Sequence, residues 1–171
     1  GYNIQKKCDP REVVDGILRE TVVGVANGRS EFGPRALGNR SLLADPRKIS
    51  TKHQVNSIKR RQKFRPFAPA ILEEYCTDYF EMPGHSRYMS YVYQCKRPHD
   101  IPAVLHVDNS ARVQTVPESS ESILREILEV WYEHTGCPVL LNTSLNIRGM
   151  PMVNDFCDAL NFSSKYHVSV F

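Results

Sequence analysis

The sequence has no CxxC pair, no glycine-rich stretch ending in GK[ST], no GxGxxG fingerprint and no apolar run near the roughly 18 residues that a membrane span requires. These absences exclude a zinc ribbon, a P-loop, a dinucleotide-binding turn and a membrane helix. The five cysteines, Cys8, Cys76, Cys95, Cys137 and Cys157, are odd in number and widely spaced. That argues against a disulfide framework and fits a reducing compartment, with the cytoplasm as the expected location. The first residues, "GYNIQKK", contain no initiator Met and no apolar core before a cleavage site, so they do not read as a signal peptide. The chain reads instead as a piece of a longer protein. No repeat, low-complexity segment or Ser/Gly/Pro linker divides its 171 residues, and one domain over residues 1–171 is the expectation. The net charge of +3 is too small to imply nucleic-acid binding by itself.

The distribution of charge says more than its sum. "KRRQKFR", Lys59 to Arg65, holds five cations in seven residues. Pro66 and Pro69 exclude regular helix just beyond it and bias Arg65 toward extended backbone. If the whole segment is extended, Lys59, Arg61, Lys63 and Arg65 point one way. Earlier, "GRSEFGPRALGNRS" concentrates three glycines and three arginines. Gly33 and Gly38 allow close approach of backbone N–H groups to a ligand, and a helix opening near Ala36 would turn its N-terminus toward an anion.

Regular elements are legible around these stretches. Asp9, Pro10 and Glu12 form a helix start whose apolar face is Val13, Val14, Ile17 and Leu18, ending near Glu20. "TVVGVA", Thr21 to Ala26, is a short buried strand closed by Asn27-Gly28. Lys48 to Lys59 favours a polar helix. Between Val104 and Val116 alternation predicts a strand, with Val107, Ala111, Val113 and Thr115 on one face and His106, Asp108, Ser110, Arg112 and Gln114 on the other. A helix from about Ser120 to His134 buries Ile123, Ile127, Val130 and Trp131 before the stop signals Gly136 and Pro138. Val139 to Leu141 is a core strand; if extension continues, Ser144, Asn146 and Arg148 share a face. The irregular alternation of strand and helix predicts an α/β or α+β domain with a mixed sheet.

Arg35, Lys59 with Arg61, Arg112 and Arg148 are four separate cationic stations beside strands or glycines. Guanidinium suits bidentate recognition of phosphate or carboxylate, and Lys adds a point charge. Convergence on one anion-rich ligand explains the pattern; solvated surface cations are the bland alternative. Ser144, Asn146 and Arg148 combine a hydroxyl, an amide and a guanidinium suited to a small carbonyl or carboxylate group, although Ser and Asn at strand ends also bond neighbouring backbone. His99-Asp100 and His106 with Asp108 lack a third partner at ligand spacing, so no metal site is assigned.

Four stretches in order, "GRSEFGPRALGNRSLLADPR", "IKRRQKFRPFAPA", "RPHDIPAVLHVDNSARVQTV" and "TGCPVLLNTSLNIRG", closely resemble the C-terminal domain of the O-carbamoyltransferases of nodulation and antibiotic biosynthesis. The resemblance runs from about Asp9 to Asn161. It implies a YrdC-like α/β domain, with the family's KxR motif at Lys59-Arg60-Arg61 and its SxN motif at Ser144-Leu145-Asn146. It further implies formation of carbamoyladenylate from carbamoyl phosphate and ATP, with Mg²⁺ expected alongside the nucleotide. A separate N-terminal domain of actin-like ATPase fold, which carries the transferase-site metal, would pass the carbamoyl group to a hydroxyl, a nodulation glycolipid being the leading acceptor. The roles this suggests are phosphate binding for Lys59 and Arg61, and carbamoyl phosphate or the adenylate link for Arg35 and Arg148. Arg112 would take the α-phosphate or ribose side, while Ser144 and Asn146 orient the carbamoyl group. Gly33, Gly38 and Arg65 complete the expected nucleotide and carbamoyl subsite. Met150 stands where the family carries an acid after "RG", and Leu145 where it carries an aromatic residue. A homodimer is left open. The competing expectation is a non-catalytic interaction module, or one holding RNA through "KRRQKFR" with Phe64 and Phe67.

Overall fold

Asp9 opens the first helix as expected. Its carboxylate accepts the Arg11 N–H at 2.9 Å and Pro10 stands at the first position of α1 (Pro10–Glu20). The structure, a computed structural model, describes residues 8–31, 33 and 35–171. Val13, Val14 and Ile17 of α1 are buried, whereas Leu18, expected on the same face, is 48% exposed. β1 (Val22–Ala26) follows and pairs antiparallel with β2 (Arg40–Ala44), a strand that the sequence pattern does not single out. Next come α2 (Ile49–Ile58), β3 (Ala68–Leu72), α3 (Cys76–Tyr79), β4 (Val92–Gln94), β5 (Ser110–Arg112) and β6 (Gln114–Val116). α4 (Ile123–Thr135), β7 (Val139–Ser144) and α5 (Phe156–Tyr166) complete the order.

The central sheet runs β1-β2-β7-β3-β6, antiparallel except where β3 lies parallel to β6, and β4 and β5 form a separate antiparallel pair. The mixed sheet is thus as expected. On one side Val23, Val25, Leu43, Ala70, Leu72 and Leu140 pack with Val14 and Ile17 of α1 and with Ile127, Leu128 and Trp131 of α4. On the other, Val22, Leu42, Ile71, Val139 and Leu141 pack with Val55 of α2 and Phe162 of α5. Strands covered on both faces read as continuous apolar runs, which is why "VVGV" and "PVLL" were visible in the sequence. Ser122 caps α4 through the Leu124 N–H, and Gly136 closes it in the left-handed region at φ 66°. Fully buried Trp131 donates its Nε1–H to the Val139 carbonyl at 3.0 Å, fastening α4 to β7.

Four local expectations are overturned. No helix begins at Ala36; residues 36–39 are irregular and turn-like. Lys59 to Arg65 is not extended: Lys59 ends α2 in helical backbone, Arg60 takes φ 52°, and residues 63–64 form a turn. The reason is buried Asn56, whose Nδ2 donates to the Lys63 and Arg65 carbonyls, each at 3.0 Å, and folds the segment back. The strand expected from Val104 to Val116 is a 3₁₀ turn over Pro102–Val104, a reversal at 106–109, and the two short strands β5 and β6. Val107, assigned to its apolar face, is 98% exposed. Beyond Ser144 the chain bends, so Asn146 and Arg148 do not extend the face of β7.

Candidate active site

Lys59 is the hub of one cluster. Being the C-cap of α2, it sends its side chain inward to 4% exposure. Its Nζ donates toward the Ser144 carbonyl at 2.6 Å, Ser144 Oγ at 3.2 Å, the Asn146 carbonyl at 3.0 Å and Asn146 Oδ1 at 2.9 Å. The Lys59 carbonyl in turn accepts the Arg148 N–H at 3.2 Å. Ser144 Oγ donates to Asn146 Oδ1 at 2.7 Å, and Asn146 Nδ2 donates to the Met150 carbonyl at 3.0 Å. Segments some 85 residues apart are therefore tied side chain to side chain and backbone to backbone. Burial, with the nearby Arg61 guanidinium adding repulsion, pulls the Lys59 ammonium down from 10.5 to about 7.

Arg61 is part of the scaffold. Its Nε donates to Asn56 Oδ1 at 2.6 Å, and its guanidinium carbon lies 4.3 Å from the centre of the Phe67 ring. Burial and then Arg65 lower it to about 10, so it stays cationic at neutral pH. Phe67 is core, 4% exposed, whereas Phe64 is 73% exposed; the two rings do not form the platform that the RNA alternative needs.

The second cluster is built on the loop between β1 and β2. Glu31 Oε1 accepts the Leu37 N–H at 2.8 Å and the Asn39 N–H at 2.6 Å, so those two amides are held by a carboxylate of the chain itself. Arg40, buried, donates to five carbonyls, those of Asn27, Gly28, Asn39, Val153 and Asn154, and clasps both ends of the loop to the segment after β7. From below, Asn142 Nδ2 donates to the Ala36 carbonyl at 3.1 Å and to Gln114 Oε1 at 2.7 Å, and Gln114 Nε2 donates to the Leu37 carbonyl at 3.1 Å. Gly38 sits at φ 134° with room for no side chain, since a Cβ there would lie 2.7 Å from Cβ of Leu124 in α4. Its glycine is thus required by packing against α4.

The loop so held forms one wall of a cavity of about 370 Å³ lined by Gly33, Arg35, Leu37, Tyr88, Met89, Ser90 and Arg112. Two of the four cationic stations, Arg35 and Arg112, share this cavity. A second, more apolar cavity of about 230 Å³ opens beside Asn146 and is lined by Ile147, Met150, Met152, Phe162 and Tyr166 among others. Asn142 and Ser144 lie two residues apart on one face of β7, about 7 Å along the strand, the first bonded to the Arg35 loop and the second to Lys59. Arg148 and Arg65 are exposed and line neither cavity.

His106, Asp108 and Ser110 do meet, but as a turn. Ser110 Oγ donates to Asp108 Oδ1 at 2.6 Å and lies 3.2 Å from His106 Nδ1, so the carboxylate engages the hydroxyl and not the imidazole. That order does not activate a serine nucleophile. Among the described residues no three His, Cys, Asp or Glu side chains are grouped to hold a metal. The positions that sequence reasoning missed are Glu31, Arg40, Asn56, Gln114, Asn142 and Tyr88. Asn142 carried a signal, being an amide that directly continues the apolar run "PVLL".

The family profile described as Carbamoyltransferase C-terminus matches residues 14–171. Nodulation protein NolNO of Sinorhizobium fredii is 40% identical over 163 residues, which is 91% of this chain and 24% of that protein. Nodulation protein NolO of Bradyrhizobium diazoefficiens is 39% identical over 165 residues, 92% of this chain and 30% of that protein. Nodulation protein U of Rhizobium tropici is 42% identical over 164 residues, 94% and 28% respectively. The chain thus spans 24 to 30% of the length of these relatives. Among solved structures, full-length HypF in its phosphate- and nucleotide-bound form superposes with a TM-score of 0.68 at 16% identity, covering 99% of this chain and 25% of HypF. A P. abyssi Sua5 variant gives 0.66 at 15% identity, covering 98% of this chain and 50% of Sua5. The mixed sheet and its helices are the YrdC-like fold that those two proteins share. The chain belongs to the carbamoyltransferase C-terminus family.

Proposed function

We propose that this chain is the adenylating part of an O-carbamoyltransferase and makes carbamoyladenylate from carbamoyl phosphate and ATP. Water first splits carbamoyl phosphate into carbamate and phosphate. A carbamate oxygen then attacks the α-phosphorus of ATP, the bond to the β,γ-diphosphate breaks, and pyrophosphate leaves. Charge grows on phosphoryl oxygens in both steps, so the chemistry calls for fixed cations more than for an acid–base pair. The observation that carries the reading is the junction of Lys59 with Ser144 and Asn146, on the strand whose Asn142 also holds the loop that lines a cavity with Arg35 and Arg112. Arg112 and Arg35 face the nucleotide phosphates, and Ser144 and Asn146, held in place by Lys59, offer a hydroxyl and an amide to the carbamoyl group. HypF supports the reading, having the same fold and a phosphate- and nucleotide-bound form.

Mg²⁺ would come with ATP; among the described residues no group of three His, Cys, Asp or Glu side chains would hold it independently of the nucleotide. It would supply further neutralisation of the departing pyrophosphate. The acceptor hydroxyl, for which we propose a nodulation glycolipid, and the transfer step would belong to an N-terminal domain of the whole enzyme, together with that domain's metal. ATP–pyrophosphate exchange by the purified chain, dependent on carbamoyl phosphate, tests the proposal. Exchange that fails although the folded chain binds ATP would reduce it to a nucleotide-holding module. Exchange unaltered by both Lys59→Ala and Arg112→Ala would refute the site.

A further inference from the structure

We infer that Tyr88 is the wall on which the nucleotide base stacks, an inference that rests on the ATP reading above and adds to it the subsite for the base. Tyr88 is 69% exposed and lines the same cavity as Arg35 and Arg112. Single exposed aromatic residues are ordinary on protein surfaces, so its place is what matters. Here a tyrosine ring and two guanidiniums border about 370 Å³ of space, with Leu37 adding apolar surface from the loop side. A ligand that satisfies both kinds of wall has a flat π-system at one end and negative charge at the other, which is the chemistry of a nucleotide.

The backbone beside the ring is shaped to present it. Met89 adopts φ 56°, a left-handed conformation that costs a non-glycine residue about 1–2 kcal/mol, and its side chain is 5% exposed. Met89 is thereby anchored inward while its neighbour Tyr88 stays out at the cavity. Tyr91 is a built-in control: it is 66% exposed, pairs with Tyr93 at 6.4 Å, and lies outside the cavity lining. Stacking on one ring tolerates any base, so purine nucleotides of either kind should bind, with pyrimidines weaker through their smaller face.

The test compares ATP with inorganic tripolyphosphate, which has the charge and no base, by calorimetric titration of the wild-type chain and of Tyr88→Ala, Tyr88→Phe and Tyr91→Ala. Loss of a base–aromatic stack weakens binding by about 5- to 100-fold. Tyr88→Ala should lose that much for ATP and nothing for tripolyphosphate, while Tyr88→Phe and Tyr91→Ala bind both as wild type does. Equal weakening of ATP and tripolyphosphate, or unchanged ATP binding in Tyr88→Ala, overturns the inference and leaves the ATP reading standing. A folded wild-type chain that binds neither ligand overturns both.

Discussion

Replacing Lys59 by Met separates what this residue does for folding from what it does for chemistry. The thioether has nearly the length of the lysine stem but carries neither charge nor donor. In the folded chain the ammonium is pulled from 10.5 down to about 7, chiefly by burial and then by Arg61. Between those two pH values the unfolded chain therefore binds a proton that the folded chain does not, and stability rises with pH, at up to about 1.4 kcal/mol per unit. From pH 7 to pH 8.5 this one group should stabilise the wild type by roughly 1–2 kcal/mol, and below pH 7 its contribution levels off at its least favourable. Lys59→Met lacks the term. Urea unfolding of both proteins across that interval should show the wild type gaining on the variant as pH rises.

Several other groups contribute to each curve: burial raises the thiols of Cys76, Cys95 and Cys137, and these titrate in alkali with the opposite sign. Taking the difference between wild type and variant removes them. At pH 7 the variant should be no less stable than wild type, because it sheds the cost of burying or neutralising the ammonium, while the oxygens of Ser144 and Asn146 that lose a donor are only partly buried and can turn to water. Exchange activity should nevertheless fall by about 10²-fold or more, since Ser144 and Asn146 lose the tether that orients them. A pH-independent difference in stability would refute the reasoning: it would mean that the four oxygens around Nζ hold the ammonium charged against the cost of its burial.

Arg112→Ala removes a guanidinium from a partly exposed cavity wall, so pyrophosphate exchange should drop by about 10²-fold while the melting temperature stays put; a parallel loss of both would make Arg112 structural. Gly38→Ala places a methyl 2.7 Å from Leu124 Cβ at a left-handed φ, and thermal unfolding should show a loss of about 2–4 kcal/mol, with no loss if loop and helix are free to part. Trp131→Phe leaves the buried Val139 carbonyl with only the weak Cys137 thiol donor and opens a void against β7; a loss of about 2–4 kcal/mol is expected in denaturant titration monitored by circular dichroism, the fluorescence of the single tryptophan being gone.

The elements legible in the sequence are those whose signals are local. Asp9 with Pro10, and Gly136, mark helix ends through bonds made within a few residues; α1 begins and α4 ends where those marks place them, while α4 opens at Ile123, capped by Ser122, a little after the expected Ser120. β2 was not legible because "RSLLA" is too short to show a period, and it becomes a strand only by pairing with β1 on one side and β7 on the other. "KRRQKFR" was misread for a related reason. Pro66 constrains only the residue before it, and the conformation of Lys59 to Lys63 is set by the side chain of Asn56, a buried amide whose donors and acceptor all bond residues beyond the end of its own helix.

The cationic stations show the same division at the level of the site. Sequence can say that Lys59, Arg61, Arg35, Arg112 and Arg148 are available, because glycines, prolines and strand ends beside them are local features. It cannot say that they sort into unlike groups. Arg35 and Arg112 face open space and can meet a ligand's charge directly. Lys59 and Arg61 spend their donors on protein oxygens and shape what surrounds that space, and Arg40, never singled out, does so completely with five carbonyls. What separates the groups is whether protein acceptors converge on the cation; those of Lys59, and two of the five around Arg40, come from β7 and the segment after it, some 85 to 114 residues further along the chain, while Arg61 finds Asn56 and Pro66 close by in sequence. A charge is therefore best judged a ligand for substrate only after the carbonyls and amides that compete for it have been counted, and by that count Arg35 and Arg112, the arginines that line the cavity, are free to bind phosphate.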